Sequence, residues 1–414
     1  MTTIMKLSAM GAALVLAACG QPSTAQDAIN VGQAPITGKR AASTKPFMVT
    51  PVARFDEPWA MTFLPDGRML VTEKSGSLKL VSADGQISVN VAGVPKVDSD
   101  GQGGLMDVVL HPSFTRMQPP PFGDVTPQPV VQPADERWVY LSWSERGPGG
   151  KRVALGRGRL IEQAILCVRA PCLAQVRLVE FETLFRANED VGGSGHYSGR
   201  IAFGPDGYLY FTNGERQQFT PAQNPKSTLG KVLRLTSAGQ PAPGNPLAKQ
   251  GFAPEVWSYG HRNLLGIAFD AQGRLWEQEM GPRGGDEVNL ILPGKNYGYP
   301  IVSNGDHYDG RDIPDHPTRP EFEAPKVSWN PVISPSGLIV YSGAMFPAWK
   351  GNIFIGGLSS QALIRVAIDG DQASEAERFD MGTRIREVEQ GPDGAIWVLE
   401  DGSAGRLLKL TPKP

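Results

Sequence analysis

Ile201-Ala202-Phe203-Gly204-Pro205-Asp206-Gly207-Tyr208-Leu209-Tyr210-Phe211-Thr212 reads as two short apolar strands joined by a tight turn. Proline presets φ for the turn, aspartate bonds its own backbone two residues on, and glycine takes the positive φ that closes it. The phrase recurs. Residues 59–63 lead through Leu64-Pro65-Asp66-Gly67 into 69–72, residues 265–269 through Gln272-Gly273 into 275–276, and Val388 through Gly391-Pro392-Asp393-Gly394 into 396–399. The turn glycines fall at 67, 207, 273 and 394. The middle interval is one unit, and each outer interval fits two. Degraded members fill the gaps: residues 108–110 with His111-Pro112 resume after an insertion at 138–143, and residues 338–341 pass Phe346-Pro347 to reach 353–355.

Six such hairpins, with further apolar stretches such as 78–81, 232–235, 363–367 and 407–410, predict an all-β fold. The repeat period indicates a six-bladed β-propeller, four-stranded antiparallel blades around a central axis, as one domain over residues 46–414. Two stacked β-sandwiches, the alternative, give no reason for one hairpin motif at a near-constant period. The insertion at 114–138, Pro-rich over 119–133, interrupts the second blade and reads as a surface loop.

Composition agrees. The chain has 414 residues, 40% of them apolar and 20% charged. Its 49 glycines and 36 prolines, about a fifth of the chain, disfavour long helices. A net charge of −2 provides no basic stripe for phosphates, so nucleic acid is not an expected partner.

The N-terminus reads as a targeting segment. Lys6 precedes an apolar run over residues 7–18, and Leu16-Ala17-Ala18-Cys19 matches a bacterial lipoprotein cleavage box. Residues 1–18 are then a signal peptide, Cys19 carries the lipid, and 19–45 form a flexible tether. Gly20 after the cysteine fits outer-membrane sorting, placing the protein in the bacterial periplasm with no membrane contact beyond that anchor. A simple cleaved signal with an incidental cysteine is the alternative. Cys167 and Cys172, close together in an exported chain, read as a small disulfide rather than a metal pair.

Polar chemistry concentrates between Tyr259 and Tyr299: Tyr-Gly-His-Arg-Asn (259–263), Glu-Met-Gly-Pro-Arg-Gly-Gly-Asp-Glu-Val-Asn (279–289) and Gly-Lys-Asn-Tyr-Gly-Tyr (294–299). The glycine-rich turn can aim backbone carbonyls at a ligand. Asp286, Glu287, Asn289, Asn296 and Tyr297 add the oxygens that Ca²⁺ prefers. The set suggests a cation and an anionic ligand at the mouth of a β-structure; a solvated surface turn is the alternative for Asp286 and Glu287. His196, in the glycine-flanked run 192–200 just before an inner strand, reads as an imidazole near its ordinary pKa and suited to general-base work.

The cluster at 259–299 occurs with Gly-Gln-Gly-Gly-Leu-Met-Asp (101–107), Gly-His-Tyr-Ser-Gly-Arg (195–200) and Thr-Arg-Ile-Arg-Glu-Val (383–388). In that order and spacing, from about Pro58 to Leu410, the chain closely resembles the soluble quinoprotein sugar dehydrogenases, which use pyrroloquinoline quinone (PQQ). The resemblance implies oxidation of an aldose at its C1 hydroxyl to the lactone, with electrons passed to an external acceptor. By the same resemblance His196 is the base, Gln102 touches cofactor and substrate, and Arg262 and Asn263 face the quinone oxygens. The carbonyls of Gly281 and Pro282 would ligate the Ca²⁺ at PQQ, and Glu287 with the Tyr297 backbone a second, structural Ca²⁺. Arg384 and Arg386, alternating on one strand and so pointing the same way, match the arginines that hold PQQ carboxylates. Ser359 departs from the family, where a lysine assists them. His261 reads as structural, and His307 and His316 carry no assigned role. A Ca²⁺-dependent propeller lactonase needs a cage of inward acids that the sequence does not reveal. A non-catalytic lipid-anchored binding propeller leaves the residues at the blade entrances unexplained.

Overall fold

The computed structural model describes residues 44–114, 137–163 and 175–414. The signal peptide, Cys19, the tether up to residue 43, the proline-rich 119–133 and the Cys167–Cys172 pair lie outside the described residues. Those residues form twenty-six strands and four short 3-10 turns, with no α-helix among them.

The turns that organise the chain form as the sequence dictates. Gly67, Gly207 and Gly394 sit at φ 88, 79 and 83. Their amides bond the carbonyls of Leu64, Gly204 and Gly391 at 2.9 Å in each case. Asp66, Asp206 and Asp393 each accept the backbone N–H two residues on. Each turn thus closes a hairpin that begins one sheet.

Four sheets hold four antiparallel strands each. Their first strands are Ser198–Phe203, Leu264–Phe269, Pro335–Val340 and Ile385–Gln390. The first strands Pro58–Phe63 and Leu105–Leu110 begin two further four-strand runs, which merge into an eight-stranded sheet where Val91 and Ala92 pair in parallel with Val176 and Arg177. The N-terminal strand Phe47–Phe55 completes the last sheet by pairing with Gly405–Pro412, from Phe47 opposite Pro412 to Phe55 opposite Gly405.

The six first strands pack side by side in chain order, and Ile385–Gln390 returns to Pro58–Phe63. The ring of first strands is therefore closed. Apolar cores lie between consecutive sheets. Trp276 and Val288 from one sheet, for example, pack against Leu338, Ile355 and Ile364 of the next. Each such side chain contributes roughly 1.5–3 kcal/mol by leaving water.

Every first strand carries a register shift near its start, at Pro58/Ala60, Leu105/Val108, Ser198/Ile201, Leu264/Gly266, Ser336/Leu338 and Ile385/Glu387. Such bulges re-aim side chains. All six act at the same end of the ring, where the motif residues of the sequence lie.

Candidate active site

His196 sits on the segment entering Ser198–Phe203 and is 6% exposed. Its Nδ1 lies 2.5 Å from Glu215 Oε1, and its backbone N–H donates to Gln102 Oε1 at 2.8 Å. Glu215 is fully buried and also accepts the amides of Gln217 (2.9 Å) and Phe219 (2.6 Å). Burial pushes the Glu215 carboxyl up, but the His196 bond and the Phe219 amide outweigh this and hold it below the usual range. A carboxylate at Nδ1 fixes the proton there, so the lone pair is at Nε2.

The imidazole is not near its ordinary pKa, contrary to the expectation above. Burial, then the positive Arg262, push it down to about 4 despite Glu215. His196 is therefore neutral throughout the physiological range. Glu215, invisible to local motif reading, is the partner that defines the tautomer.

Backbone strain gathers here. Among the described residues, ten non-glycine residues have positive φ, and five of them are His196, Ser198, Arg216, Gln217 and Phe219. Each such residue costs on the order of 1–3 kcal/mol and persists only where its surroundings over-determine it.

Arg262 lies on the adjoining entrance. Its carbonyl accepts the Glu215 amide at 2.9 Å, which ties it to the His196 group. Its Nη1 donates to Met280 O (2.9 Å) and Gly281 O (2.5 Å), and Nη2 reaches Tyr308 Oη at 3.4 Å. Nε is buried without a partner. Asn263 is buried, accepting from Ser198 Oγ at 3.3 Å. Gln102 is exposed, and its oxygen is used on His196 rather than held free for a ligand.

The loop at 281–285 leads into one correction. Gly281 O, one of the two carbonyls assigned to the Ca²⁺ at PQQ, accepts from Arg262 Nη1, and Gly281 and Pro282 line the same small cavity. Asp286 is a strand residue, 1% exposed, and neither a metal donor nor a solvated turn. Its oxygens take the amides of Gly281, Ile333 and Ser334 at 2.9, 2.8 and 2.7 Å. Burial nevertheless pushes its pKa up to about 7. Asn296 likewise spends its side chain on Gln223.

The residues assigned to the second cation lie together. Glu287 and Tyr297 line one cavity of ≈ 10 Å³ together with Glu279, Gly281, Pro282 and Ser303. That is room for a single ion or water. Cross-strand pairing puts Glu279 opposite Glu287 and Glu277 opposite Asn289, and facing like charges are unfavourable unless a cation bridges them. Burial and the neighbouring Glu279 charge push Glu277 well up, and burial raises Glu287. Glu277 Oε1, Asn289 Oδ1, His261 Nδ1 and both ring nitrogens of His316 are buried without hydrogen-bond partners. His261 and His316 stand 3.5 and 3.6 Å from Glu279 and Glu287, too far for hydrogen bonds. The carboxylates of Glu277, Glu279 and Glu287 fit a hard divalent ion, and ligand atoms of Glu277, Glu279 and His261 lie within 4.8 Å of one another. The sequence reading missed Glu277 and Glu279, although Glu-Gln-Glu inside an apolar strand was the signal. The Tyr297 hydroxyl takes no part, being bound to Leu290 O and the Leu292 amide.

On the opposite wall of the ring, Arg384 and Arg386 do point the same way. Both guanidiniums reach Asp401, at 2.7 and 2.8 Å. They present a doubly basic edge reduced by one negative charge. Ser359 is exposed, its hydroxyl directed at Val332 O at 3.4 Å.

Below these residues Arg200 spans the axis. It bonds Asp107 (3.4 Å) and Glu387 across the ring, donates from Nε to Leu265 O at 2.8 Å, and stacks on Trp59 at 4.1 Å. Beneath it lies a cavity of ≈ 400 Å³ lined by Asp107, Arg200, Glu387, Glu389, Ser342 and Gln390 among others. Inward acids thus exist, contrary to the sequence reading. Asp107 and Glu387 are nonetheless committed to Arg200 and to backbone amides, so they do not form an open metal cage.

A family model described as "Glucose / Sorbosone dehydrogenase" matches residues 55–119 and 122–409. The aldose sugar dehydrogenase YliI of Escherichia coli (strain K12) is 38% identical over 370 residues, covering 87% of this chain and 91% of that protein. Quinoprotein glucose dehydrogenase B of Acinetobacter calcoaceticus is 23% identical over 436 residues, covering 86% of each. The PQQ-bound form of the aldose sugar dehydrogenase of Streptomyces coelicolor superposes with a TM-score of 0.65 at 28% identity, over 90% of this chain and 100% of that one.

Proposed function

Because this chain belongs to the glucose/sorbosone dehydrogenase family and is a sugar-oxidising oxidoreductase, we propose that it converts the C1 hydroxyl of an aldose to the lactone, using PQQ and Ca²⁺. The observation that carries this reading is the locked imidazole: Glu215 holds the His196 proton at Nδ1, which leaves Nε2 as the acceptor, within the field of Arg262.

PQQ, when bound, supplies the electrophilic quinone that takes the hydride from C1. His196 Nε2 takes the hydroxyl proton. The imidazolium that results is stabilised by Glu215, as a carboxylate stabilises any catalytic histidine it orients. Arg262, buried and always charged, opposes the negative charge that develops on the hydride acceptor. Arg384 and Arg386 neutralise carboxylates on the far wall while Asp401 limits their mutual repulsion. The carbonyls of Gly281 and Pro282 would hold the Ca²⁺ at the cofactor. Glu279, Glu287 and the Tyr297 carbonyl would hold the second. Electrons then pass to an external acceptor.

The same reading takes the strand ring as a six-bladed β-propeller, supported by the six bulged first strands and the closing Phe47–Phe55 pairing. It also retains the lipid anchor at Cys19, the outer-membrane periplasmic location and the Cys167–Cys172 disulfide. Metal-assisted lactone hydrolysis is disfavoured because Asp107 and Glu387 at the axis are spent on Arg200 and backbone amides. Adding PQQ and Ca²⁺ to purified protein should produce aldose-dependent dye reduction with lactone as the NMR-detected product. Lactone consumption without dye reduction would replace this reading with the hydrolase.

A further inference from the structure

We propose that Arg216 is a positioning residue for His196: its guanidinium pins the loop that carries the base and keeps a positive charge behind the imidazole. The inference rests on His196 being the base. Arg216 is 1% exposed and has no ion pair within 4 Å among the described residues. Each of its three nitrogens donates to a backbone carbonyl instead: Nε to Gly195 at 2.8 Å, Nη1 to Lys151 at 2.9 Å and Nη2 to Gly193 at 3.0 Å. Its Cζ lies 3.8 Å from the centroid of the Tyr197 ring. The residues on either side of His196 are thus held by one side chain.

That loop needs an external restraint. A Cβ added at Gly192 or Gly193 would meet nothing within 4 Å, so no neighbour packs on that side of the segment, and glycine adds backbone freedom. His196, Ser198 and Arg216 all stand at positive φ, conformations that relax unless contacts forbid it. A guanidinium fork fits three separated carbonyls, whereas an ammonium concentrates its charge at one point. Because carbonyls only partly compensate the cation, its field reaches the imidazole. The charged groups facing His196 are Glu215, Arg262 and Arg216, one anion against two cations, which favours the neutral base.

The test compares Arg216→Gln and Arg216→Lys with wild type in two readouts. The first is the pH profile of kcat/KM with PQQ and aldose. The second is the His196 imidazole titration by NMR on labelled protein without sugar, assigned with a His196→Asn variant. Arg216→Gln should lower kcat/KM about 10- to 100-fold, move its acid limb to higher pH, and raise the imidazole titration with it. Arg216→Lys, which keeps the charge but not the fork, should lose rate while its limb and titration stay near wild type. It also carries the test if the glutamine variant does not fold, since unchanged rate in it overturns the pinning role. A rate loss in Arg216→Gln with unmoved limb and unmoved titration overturns the proposal, because that is what simple loosening gives. If wild type oxidises no aldose, the catalytic reading itself fails, and the imidazole titration alone decides whether Arg216 controls His196.

Discussion

Replacing Arg200 by methionine removes a cation that spans the axis and leaves its carboxylates behind. Asp107 and Glu387 are each about 95% buried, and Glu389, half-buried, lines the axial cavity with them. Removing one partner of a buried ion pair costs about 3–5 kcal/mol. At this chain length roughly 2 °C of Tm accompanies each kcal/mol, so the melting point should fall by about 6–10 °C at alkaline pH. The loss should depend on pH in a determined direction. Burial raises all three carboxyls, Glu387 to about 7 and Glu389 to about 8, while Arg200 pulls them back. The native state therefore binds more protons than the unfolded chain between the ordinary carboxylate range and about pH 8, and wild-type stability from these groups falls as pH rises through that window. Without Arg200 the carboxyls protonate still more readily. The variant should lie close to wild type at pH 5 and furthest below it at pH 8. Thermal melts of both proteins at the two pH values decide the matter. A penalty below about 1 kcal/mol, or one equal at both pH values, would refute the reasoning, since either means the axial carboxylates do not depend on Arg200 for compensation.

His196→Ala should reduce turnover by about 10²- to 10⁴-fold while PQQ affinity changes little, and wild-type kcat/KM should hold down to pH 5 before falling toward the imidazole value of about 4; near-normal turnover in the variant would remove His196 from the mechanism. Stripping divalent ions should lower Tm and Ca²⁺ should restore it, because an ion at 100 times its Kd adds about 2.7 kcal/mol. Glu279→Gln with Glu287→Gln should abolish that response, and a chelator-insensitive wild type would contradict the second cation site. Ser359→Lys should tighten PQQ binding by about tenfold at low salt, less at high salt because the position is exposed; unchanged affinity measured by titration would mean that Arg384 and Arg386 already satisfy the cofactor's carboxylates.

The hairpins were legible because turn chemistry is local: a Pro-Asp-Gly phrase specifies its own φ angles and hydrogen bonds within four residues. His196 was legible from its glycine-flanked setting, whereas Arg262 and the paired arginines were assigned through the family resemblance. The groups that govern them were not. Glu215 reaches His196 from the next strand's end, Asp401 gathers two arginines from a neighbouring strand, and Arg200 meets Glu387 across the whole ring. No spacing in one dimension encodes such meetings. Burial was the other hidden quantity. It moved the His196 pKa away from neutral and turned Asp286 from an imagined metal oxygen into an acceptor of three amides.

In the proposed enzyme one mouth, with His196 and Arg262 on one wall and Arg384 and Arg386 on the other, takes the quinone and the sugar together. A crystal structure of the protein soaked with PQQ and Ca²⁺ should show cofactor density between the two walls, carboxylates at Arg384 and Arg386, the quinone edge at Arg262, and His196 Nε2 facing the open side. Density confined to the axial cavity beneath Arg200, or none at saturating PQQ, would contradict this reading.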